Sequence, residues 1–474
     1  MVIGSGFGGS VAALRLGRAG YSTALIERGR HWPFVGENSF PTIARMAGDG
    51  RTTWLSETDA TSGQPVNRYA GLLERIAGDT TGVVVPAGLG GGSLVFGGVL
   101  LKPRAEIFEQ VFPSVSYREM SEIYYPRVLA AISGGPIPDD VLNSPNYAAQ
   151  REFIRDATAA GLEVVKSDVC FDWNIVRDEI AGRVPAAASI GEYAFGCNSN
   201  AKNTLDKNYL RAAVATGEVS IYALHNVTTL VQRGNGRYEV HCEVINDVGE
   251  VLAEHVIACK YVFLAAGSIG STKLLLKAKA SGTLDVHYEV GKHWGNNGDY
   301  LLARAGVRSP IGAIQGGPPS IAAFDSSTKS IAFMHSPTQR PIPLQMHMSM
   351  SVPEQLGEVR YDTATDRASV QWPYAANAPS RDAYRASMQK MAAVSGGAVV
   401  GEEGFGAAPT AWHPLGGVVM GKACSELGEL YGARNLFVVD GSLLPGSAAA
   451  ANPSLTIAAN AERIMDGLIA KRLK

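Results

Sequence analysis

The stretch Val2-Ile3-Gly4-Ser5-Gly6-Phe7-Gly8-Gly9 decides the fold, together with Val11-Ala12-Ala13-Leu14-Arg15-Leu16 and, beyond Gly20, Thr23-Ala24-Leu25-Ile26-Glu27. An apolar pair runs into a glycine turn. Apolar positions 11, 12, 14 and 16, with small residues between them, describe a helix packed closely on a sheet. A second strand-like run then ends on an acid. The pattern Gly4-x-Gly6-x-x-Gly9, in the order strand, turn, helix, strand, acid, is the dinucleotide-binding fingerprint in the context it requires. Its first two glycines permit a tight turn and close approach to a pyrophosphate, and the helix N-terminus offers N–H groups and a positive dipole to the phosphates. Glu27 is expected to hydrogen-bond a ribose hydroxyl. Only Val2 and Ile3 precede the turn, whereas a strand usually runs about five or six residues. The expectation is therefore that the natural chain begins upstream: cytoplasmic as the sequence stands, secreted if an export signal has been removed.

Composition narrows the class. The 474 residues carry 42 basic and 44 acidic side chains, a formal net charge of −2, which leaves no electrostatic footprint for nucleic acid. With 46% hydrophobic and 18% charged residues the chain has a large core and is not disordered. The 54 glycines cluster without a three-residue period, so they mark sharp turns or close backbone approach rather than collagen. The five cysteines are scattered, with no CxxC pair or His/Cys cluster, so neither a metal site nor a disulfide scaffold is expected. The uncharged run Thr80 to Leu101 contains Pro86, Gly90-Gly91-Gly92 and Gly97-Gly98, too much glycine beside proline for a membrane helix; it reads as a buried glycine loop.

Further pieces continue the pattern. Tyr261-Val262-Phe263-Leu264 is a short buried strand entering the turn Ala265-Ala266-Gly267-Ser268, with a helix after it. Asn435 to Ser442 repeats strand and turn. Asn452-Pro453 opens a last helix with Leu455, Ala458, Ala461, Ile464, Met465 and Leu468 on its apolar face; Asn is a good N-cap and Pro suits the first helical position. Residues 36–85 and 106–204 read as loop-rich and polar, whereas residues 343–372 alternate with period two, as antiparallel strands do.

Taken together these pieces resemble the glucose–methanol–choline (GMC) family of FAD-dependent oxidoreductases and, within it, the class I cholesterol oxidases, which hold FAD non-covalently. The resemblance runs over essentially the whole chain. It includes Tyr69-Ala70-Gly71, the Gly88 to Gly98 loop, Leu205-Asp206-Lys207, Gly267 to Thr272, Val290-Gly291 with Trp294-Gly295, Trp412 to Gly417, and Asp440-Gly441-Ser442. It implies an α/β protein with a Rossmann-like FAD-binding domain (residues 1–35, 205–300 and 405–474) interleaved with a substrate domain built on an antiparallel sheet (36–204 and 301–404). It also implies that Gly4, Gly6, Phe7, Gly9 and Glu27 hold the ADP half of FAD and that the backbone of Val227 faces the adenine. Gly90, Gly91, Gly92, Ser93, Phe96 and Gly97, in the 86–104 segment, pass beside the flavin. Asp440, Gly441, Asn452 and Pro453 lie at the isoalloxazine. The helix start at Asn452 directs about half a positive charge at the reduced flavin. The loop has Val95 and Phe96 where several relatives carry a tethering His, so dissociable FAD is expected. The catalytic pair maps to His413 and Asn452; a histidine suits proton management and an asparagine can position a hydroxyl.

Departures from the resemblance bear on substrate. In Ile331-Ala332-Phe333-Met334-His335-Ser336-Pro337, Met334 occupies the place of the glutamate that shifts a double bond in cholesterol oxidases. His335 could replace it only if the strand register slipped by one residue. Phe96 replaces an Asn. The lid segments Ser62 to Asn67 and Val399 to Ala411 are short, and an extra residue lies within Ala448 to Ala451. Met346, Met348 and Met350 alternate on one strand face, either as core or as an adaptable apolar wall. Phe333, Met334, Met346 and Met348 are the candidate substrate pocket, and Gln345, His347 and Ser349 are expected on a polar or solvent-facing side. The leading expectation is oxidation of a secondary alcohol on a small lipophilic substrate such as a sterol, terpenoid or polyketide, with hydride passing to flavin N5 and electrons to O2 or another acceptor. The alternative is a flavin-containing lyase or isomerase using His413 as acid–base; intact motifs argue against a mere binding module.

Overall fold

The computed structural model describes residues 1–42, 49–60, 62–307, 315–327, 329–337, 344–401 and 409–473. The fingerprint forms as expected. The strand Val2–Ile3 lies at the centre of a five-stranded parallel sheet ordered Leu436–Val438, Val262–Leu264, Val2–Ile3, Thr23–Ile26, Val219–Tyr222. These strands are short and almost entirely apolar on both faces, as a covered parallel sheet requires. The helix Phe7–Arg18 packs against the C-terminal helix Pro453–Lys471. Leu455, Ala458, Ala461, Ile464, Met465 and Leu468 are all buried there. An antiparallel sheet of His225–Arg233, Arg237–Ile245 and Val251–Cys259 follows the last parallel-sheet strand before residue 225.

The rest of the chain builds two further sheets. One is antiparallel throughout and ordered Ala398–Val400, Tyr300–Ala305, Leu344–Ser351, Ile331–His335, Ile321–Asp325, Glu163–Lys166. The other is mixed and includes Gly357–Asp362, Arg367–Gln371, Leu73–Gly78 and Gly82–Pro86. Residues 106–204 hold more helix than their polar composition suggests: Ala105–Val111, Tyr125–Ala131, Ala148–Ala159 and Trp173–Ile180. Each of these helices buries only a narrow face, so few apolar residues suffice. The expected division at 404/405 lies outside the described residues. No helix among the described residues is long and apolar enough to cross a membrane.

The register of the antiparallel sheet corrects two expectations. Met348 pairs with Leu301 on one side and Met334 on the other, and Met334 pairs with Ala322. Met334, Met346, Met348 and Met350 therefore share one face. Phe333 belongs to the other face, where its ring meets Phe153 at 6.0 Å and Tyr384 at 5.5 Å between centroids. It is core, not substrate pocket. Gln345, His347 and Ser349 also lie on that second face and are buried rather than solvent-facing, because the helices Ala148–Ala159 and Ala378–Ser395 cover it. Their polarity serves an internal network. Arg304 donates to Asp156 Oδ2 (2.8 Å) and Gln345 Oε1 (2.7 Å), and Gln345 donates to Glu152 Oε2 (3.2 Å). Arg304 Nε approaches His347 Nε2 at 3.4 Å.

Two buried histidines in this layer make stability depend on pH. Burial, and secondarily the positive Arg304, pushes His335 down to about 3 and His347 well below its usual value of 6.5. Both are neutral when folded and protonate on unfolding below 6.5, so stability is full above that value and falls as pH drops. For His335 the loss between pH 7 and pH 5 is about 2 kcal/mol at ~1.4 kcal/mol per pH unit. Urea unfolding at the two pH values checks this: His335→Gln, which keeps a polar group beside Gln315, shows a smaller acid loss than the unmodified protein.

Candidate active site

Ser5 ties the fingerprint together. Its Oγ donates to Glu27 Oε2 at 2.6 Å and accepts the N–H of Gly90 at 2.9 Å. Glu27 also accepts the N–H groups of Ser5 (3.0 Å) and Gly29 (2.8 Å). A carboxylate has about four acceptor positions, so one remains for a ribose hydroxyl. The second glycine segment lies directly on the first: Gly91 has φ +52°, and a Cβ there would stand 2.6 Å from Gly6 Cα. Gly4 has φ +97°, and a Cβ on it would strike the Ala265 carbonyl oxygen at 2.2 Å. By contrast a Cβ on Gly6 would meet nothing within 4 Å. The N–H groups of Phe7, Gly8 and Gly9, at the start of the helix, have no hydrogen-bond partner among the described residues. An open side at Gly6, beside free helix-start N–H groups, fits a bound diphosphate.

The other expected cofactor residues divide by what they still have to offer. Ser93 is spent inside the loop: its Oγ donates to the Gly90 carbonyl (2.8 Å) and accepts the Leu205 N–H (3.0 Å). Phe96 stacks edge-on against Phe7 with centroids 5.4 Å apart, Gly92 lies near Phe7, and Gly97 lies against Pro319 and Tyr193. Val227 sits where the register of its strand shifts between Val227 and Thr229, a bulge that breaks the ladder locally. Asp440 is buried, and burial raises its pKa. Its Oδ1 accepts from the N–H (2.9 Å) and Oγ (2.6 Å) of Ser442, and its Oδ2 from the Gly267 N–H (2.9 Å) and Ser271 Oγ (2.5 Å). With the carboxylate saturated, what Asp440 and Gly441 can still present to a ligand is main chain.

At the other end of the site, His413 is held by a residue that sequence reading did not single out. His413 Nδ1 lies 2.7 Å from Asp299 Oδ1, while Asp299 Oδ2 accepts the N–H groups of Trp412 and His413, both at 2.9 Å. An ionised carboxylate can only accept, so Nδ1 is the protonated nitrogen of the neutral ring and Nε2 is the one left to accept a proton. The Asp299 side chain is only 1% exposed and that of His413 17%, so the ring keeps one open edge. Asp299 belongs to a turn from Gly295 to Asp299. Gly295 and Leu415 exchange backbone hydrogen bonds at 2.9 and 3.0 Å, joining this turn to the His413 loop.

The same turn holds the segment before the last helix. Asn297 Oδ1 accepts the Ala448 N–H (2.8 Å), its Nδ2 donates to the Ala451 carbonyl (2.9 Å), and its own N–H donates to the Gly446 carbonyl (3.1 Å). This grip holds Ala449 and Ala450 at φ 59° and 58°, left-handed conformations that cost about 1–2 kcal/mol each in residues with a Cβ. Asn452 follows at the N-cap position. Contrary to expectation its side chain caps nothing, and Oδ1 is buried without a hydrogen-bond partner among the described residues. A buried orphaned acceptor is costly unless a ligand satisfies it. Pro453 occupies the first helical turn as anticipated.

The apolar wall reaches this point. Met334, 2% exposed, clusters with Ala322, Ala332, Met350, Val99, Leu101 and Ala451, the neighbour of Asn452. Met346 and Met348 are half-buried on the same face. His335 stays in register with its Nε2 2.8 Å from Gln315 Oε1, on the side away from Met334, and so does not replace the missing carboxylate. Of the expected lids, Ser62 to Asn67 forms a short loop closed by the Thr58–Pro65 bridge, and Val399 to Ala411 falls partly outside the described residues.

Comparison with known proteins agrees with this geometry. Residues 2–294 match the N-terminal and residues 353–461 the C-terminal domain of the GMC oxidoreductases. Cholesterol oxidase of Acinetobacter baumannii is 25% identical over 329 residues, covering 65% of this chain and 55% of that protein. Cholesterol oxidase of Mycobacterium tuberculosis is 25% identical over 334 residues, covering 66% and 52% respectively. The matches thus span about half the length of these relatives. Among solved structures, pyridoxine 4-oxidase from Mesorbium loti (TM-score 0.63, 17% identity, 100% of this chain and 99% of that one) has the same fold. So does a fungal aryl-alcohol oxidase (TM-score 0.67, 13% identity, 99% and 98%). With two family domains matched in order over most of its length, and with the paired glycine segments that suit the family's FAD, the chain belongs to the GMC oxidoreductase family.

Proposed function

We propose that the protein oxidises a secondary alcohol on a bulky apolar molecule, of the sterol, terpenoid or polyketide kind, to a ketone. The observation that carries this reading is that one turn, Gly295 to Asp299, ties together three features: His413 with its Nδ1–H held by Asp299, the segment leading to Asn452, whose buried Oδ1 has no partner among the described residues, and the methionine face that reaches Ala451. His413 Nε2 takes the hydroxyl proton. Asp299 fixes the ring tautomer and stabilises the charge the ring then gains. The Asn452 side-chain amide donates to the hydroxyl oxygen and so orients the carbinol carbon. Bound FAD supplies the hydride acceptor. The N-terminus of the 19-residue helix Pro453–Lys471 places positive dipole beside Asn452, where it would stabilise negative charge on a reduced cofactor. Met334, Met346 and Met348 exclude water from the reacting groups and adapt to a large apolar body.

The cofactor is expected to dissociate, because Val95 and Phe96 stand in the loop where a tethering His would be. Acid precipitation of the purified yellow protein releases FAD into the supernatant; flavin remaining with the pellet means a covalent bond instead.

An anaerobic screen of hydroxylated lipophiles, read by flavin bleaching, tests the reaction itself and identifies the alcohol. With the best substrate found, His413→Ala retains flavin but reduces it ~10²–10⁴-fold more slowly, the range for a positioned acid–base group. Asp299→Asn slows reduction by less. Wild-type reduction rates in His413→Ala would remove His413 from the mechanism.

The place of Met334 predicts the product. Given a 3β-hydroxy-5-ene sterol, the protein yields mainly the unconjugated 5-en-3-one, because moving the double bond needs a base to carry a proton between ring carbons and a thioether has none. Absorbance of the conjugated enone measures this directly; its rapid appearance would mean that another base serves the site.

A further inference from the structure

Lys202 lies behind the second glycine segment and is 1% exposed. Its Nζ donates to the main-chain carbonyls of Leu94 (3.0 Å), Phe96 (2.9 Å) and Tyr193, and sits 5.7 Å from the centroid of the Phe96 ring. Three donors thus meet three neutral acceptors. The hydrogen bonding is complete but the charge is not, since Lys202 forms no ion pair with a carboxylate among the described residues. A buried cation without a counter-ion is strongly disfavoured. Neutral donors could have held the same carbonyls, so the charge itself calls for a role. Two of the three carbonyls belong to the segment that Gly91 lays against Gly6 of the fingerprint.

We propose that Lys202 is a positioning residue for the cofactor: it fastens the second glycine segment from behind and supplies a fixed positive charge that the anionic diphosphate of FAD balances. This rests on the reading that the protein binds FAD. A dissociation that depends on pH follows. Burial pushes the Lys202 ammonium down to about 8, so without the cofactor it loses its proton as pH rises through that value. The bound diphosphate favours the charged form and raises it again. FAD is therefore held tightly below pH 8 and less tightly above. The other titratable groups that act on Lys202 are Cys170, Cys197 and Lys207. Cys170 is pushed up to about 12 by burial. Lys207 is occupied with the carbonyls of Asn200 and Lys202. Cys197, beside Ser199 Oγ at 3.3 Å, is the group to control for.

The test is FAD release from the purified holoprotein on dilution, followed by flavin fluorescence between pH 7.0 and 9.5. For the unmodified protein the dissociation constant rises about tenfold across this range, the effect of a one-unit shift in one group. Lys202→Met releases FAD more readily at pH 7 and loses the pH dependence. Lys202→Arg, always charged, stays near the unmodified protein at pH 7 and is also flat, and Cys197→Ser keeps the rise. A flat profile in the unmodified protein overturns the proposal, as does a rise that survives in Lys202→Met. If Lys202→Met does not fold, a rise that persists in Lys202→Arg overturns it equally. A purified protein that never carries FAD at any pH would strike the cofactor reading itself.

Discussion

Everything else in the site depends on two glycine segments meeting backbone to backbone. Gly91 lies on Gly6 so closely that a single methyl group on Gly91 would reach 2.6 Å from Gly6 Cα. That contact admits no side chain, and the Ser5 hydroxyl sets it by holding Glu27 on one side and the Gly90 N–H on the other. Backbone amides are then left along the start of the first helix with no partner among the described residues, while a Cβ at Gly6 would face open space. A surface made of N–H groups rather than side chains recognises phosphate oxygens whatever the rest of the ligand carries. Lys202 secures the same segment from behind, so the loop is fixed on both sides.

The reacting end is organised by one turn, Gly295 to Asp299. It gives a carboxylate to His413 and an amide to the backbone of Ala448 and Ala451, and so ties the His413 loop to the segment leading to Asn452. Two alanines in left-handed conformation are tolerated there because Asn297 and Gly446 hold the chain on either side of them. Strain of this size persists only where neighbouring contacts over-determine it. Its effect is to bring Asn452, at the N-cap of the last helix, into the site with its side-chain oxygen unpaired among the described residues.

The antiparallel sheet separates two chemistries by the pleat. One face carries methionines toward Ala451. The other buries Gln345, His347 and Arg304 against helices, with Arg304 paired to Asp156 and Gln345 to Glu152. A slip of one residue would exchange the faces, placing His335 at the site and Met334 in the polar layer. The hydrogen-bonded layer under the sheet opposes such a slip, since it would part His335 from Gln315 and set Met334 against buried polar groups.

Much of this was legible in the chain itself, because the signals are local. The glycine turn, its helix and Glu27 are contiguous, His413 stands in a short motif, and the alternation of methionines follows from the two-residue period of a strand. Tertiary structure alone decided the rest. Asp299 lies far from His413 in sequence, and nothing in Asn296-Asn297-Gly298-Asp299 beyond a run of turn-forming residues marks it as the histidine's partner. Lys202 reads as an ordinary lysine until its burial is seen. Polar residues on a strand look the same whether water or a helix covers them, so sequence left Gln345 and His347 either polar or solvent-facing, and Phe333 could be assigned to a face only from its pairing. Asn452 has the identity of a helix cap, yet its side chain makes no capping hydrogen bond. Local sequence determines which conformation a residue can adopt; which partners satisfy its polar atoms depends on segments brought together only by the fold.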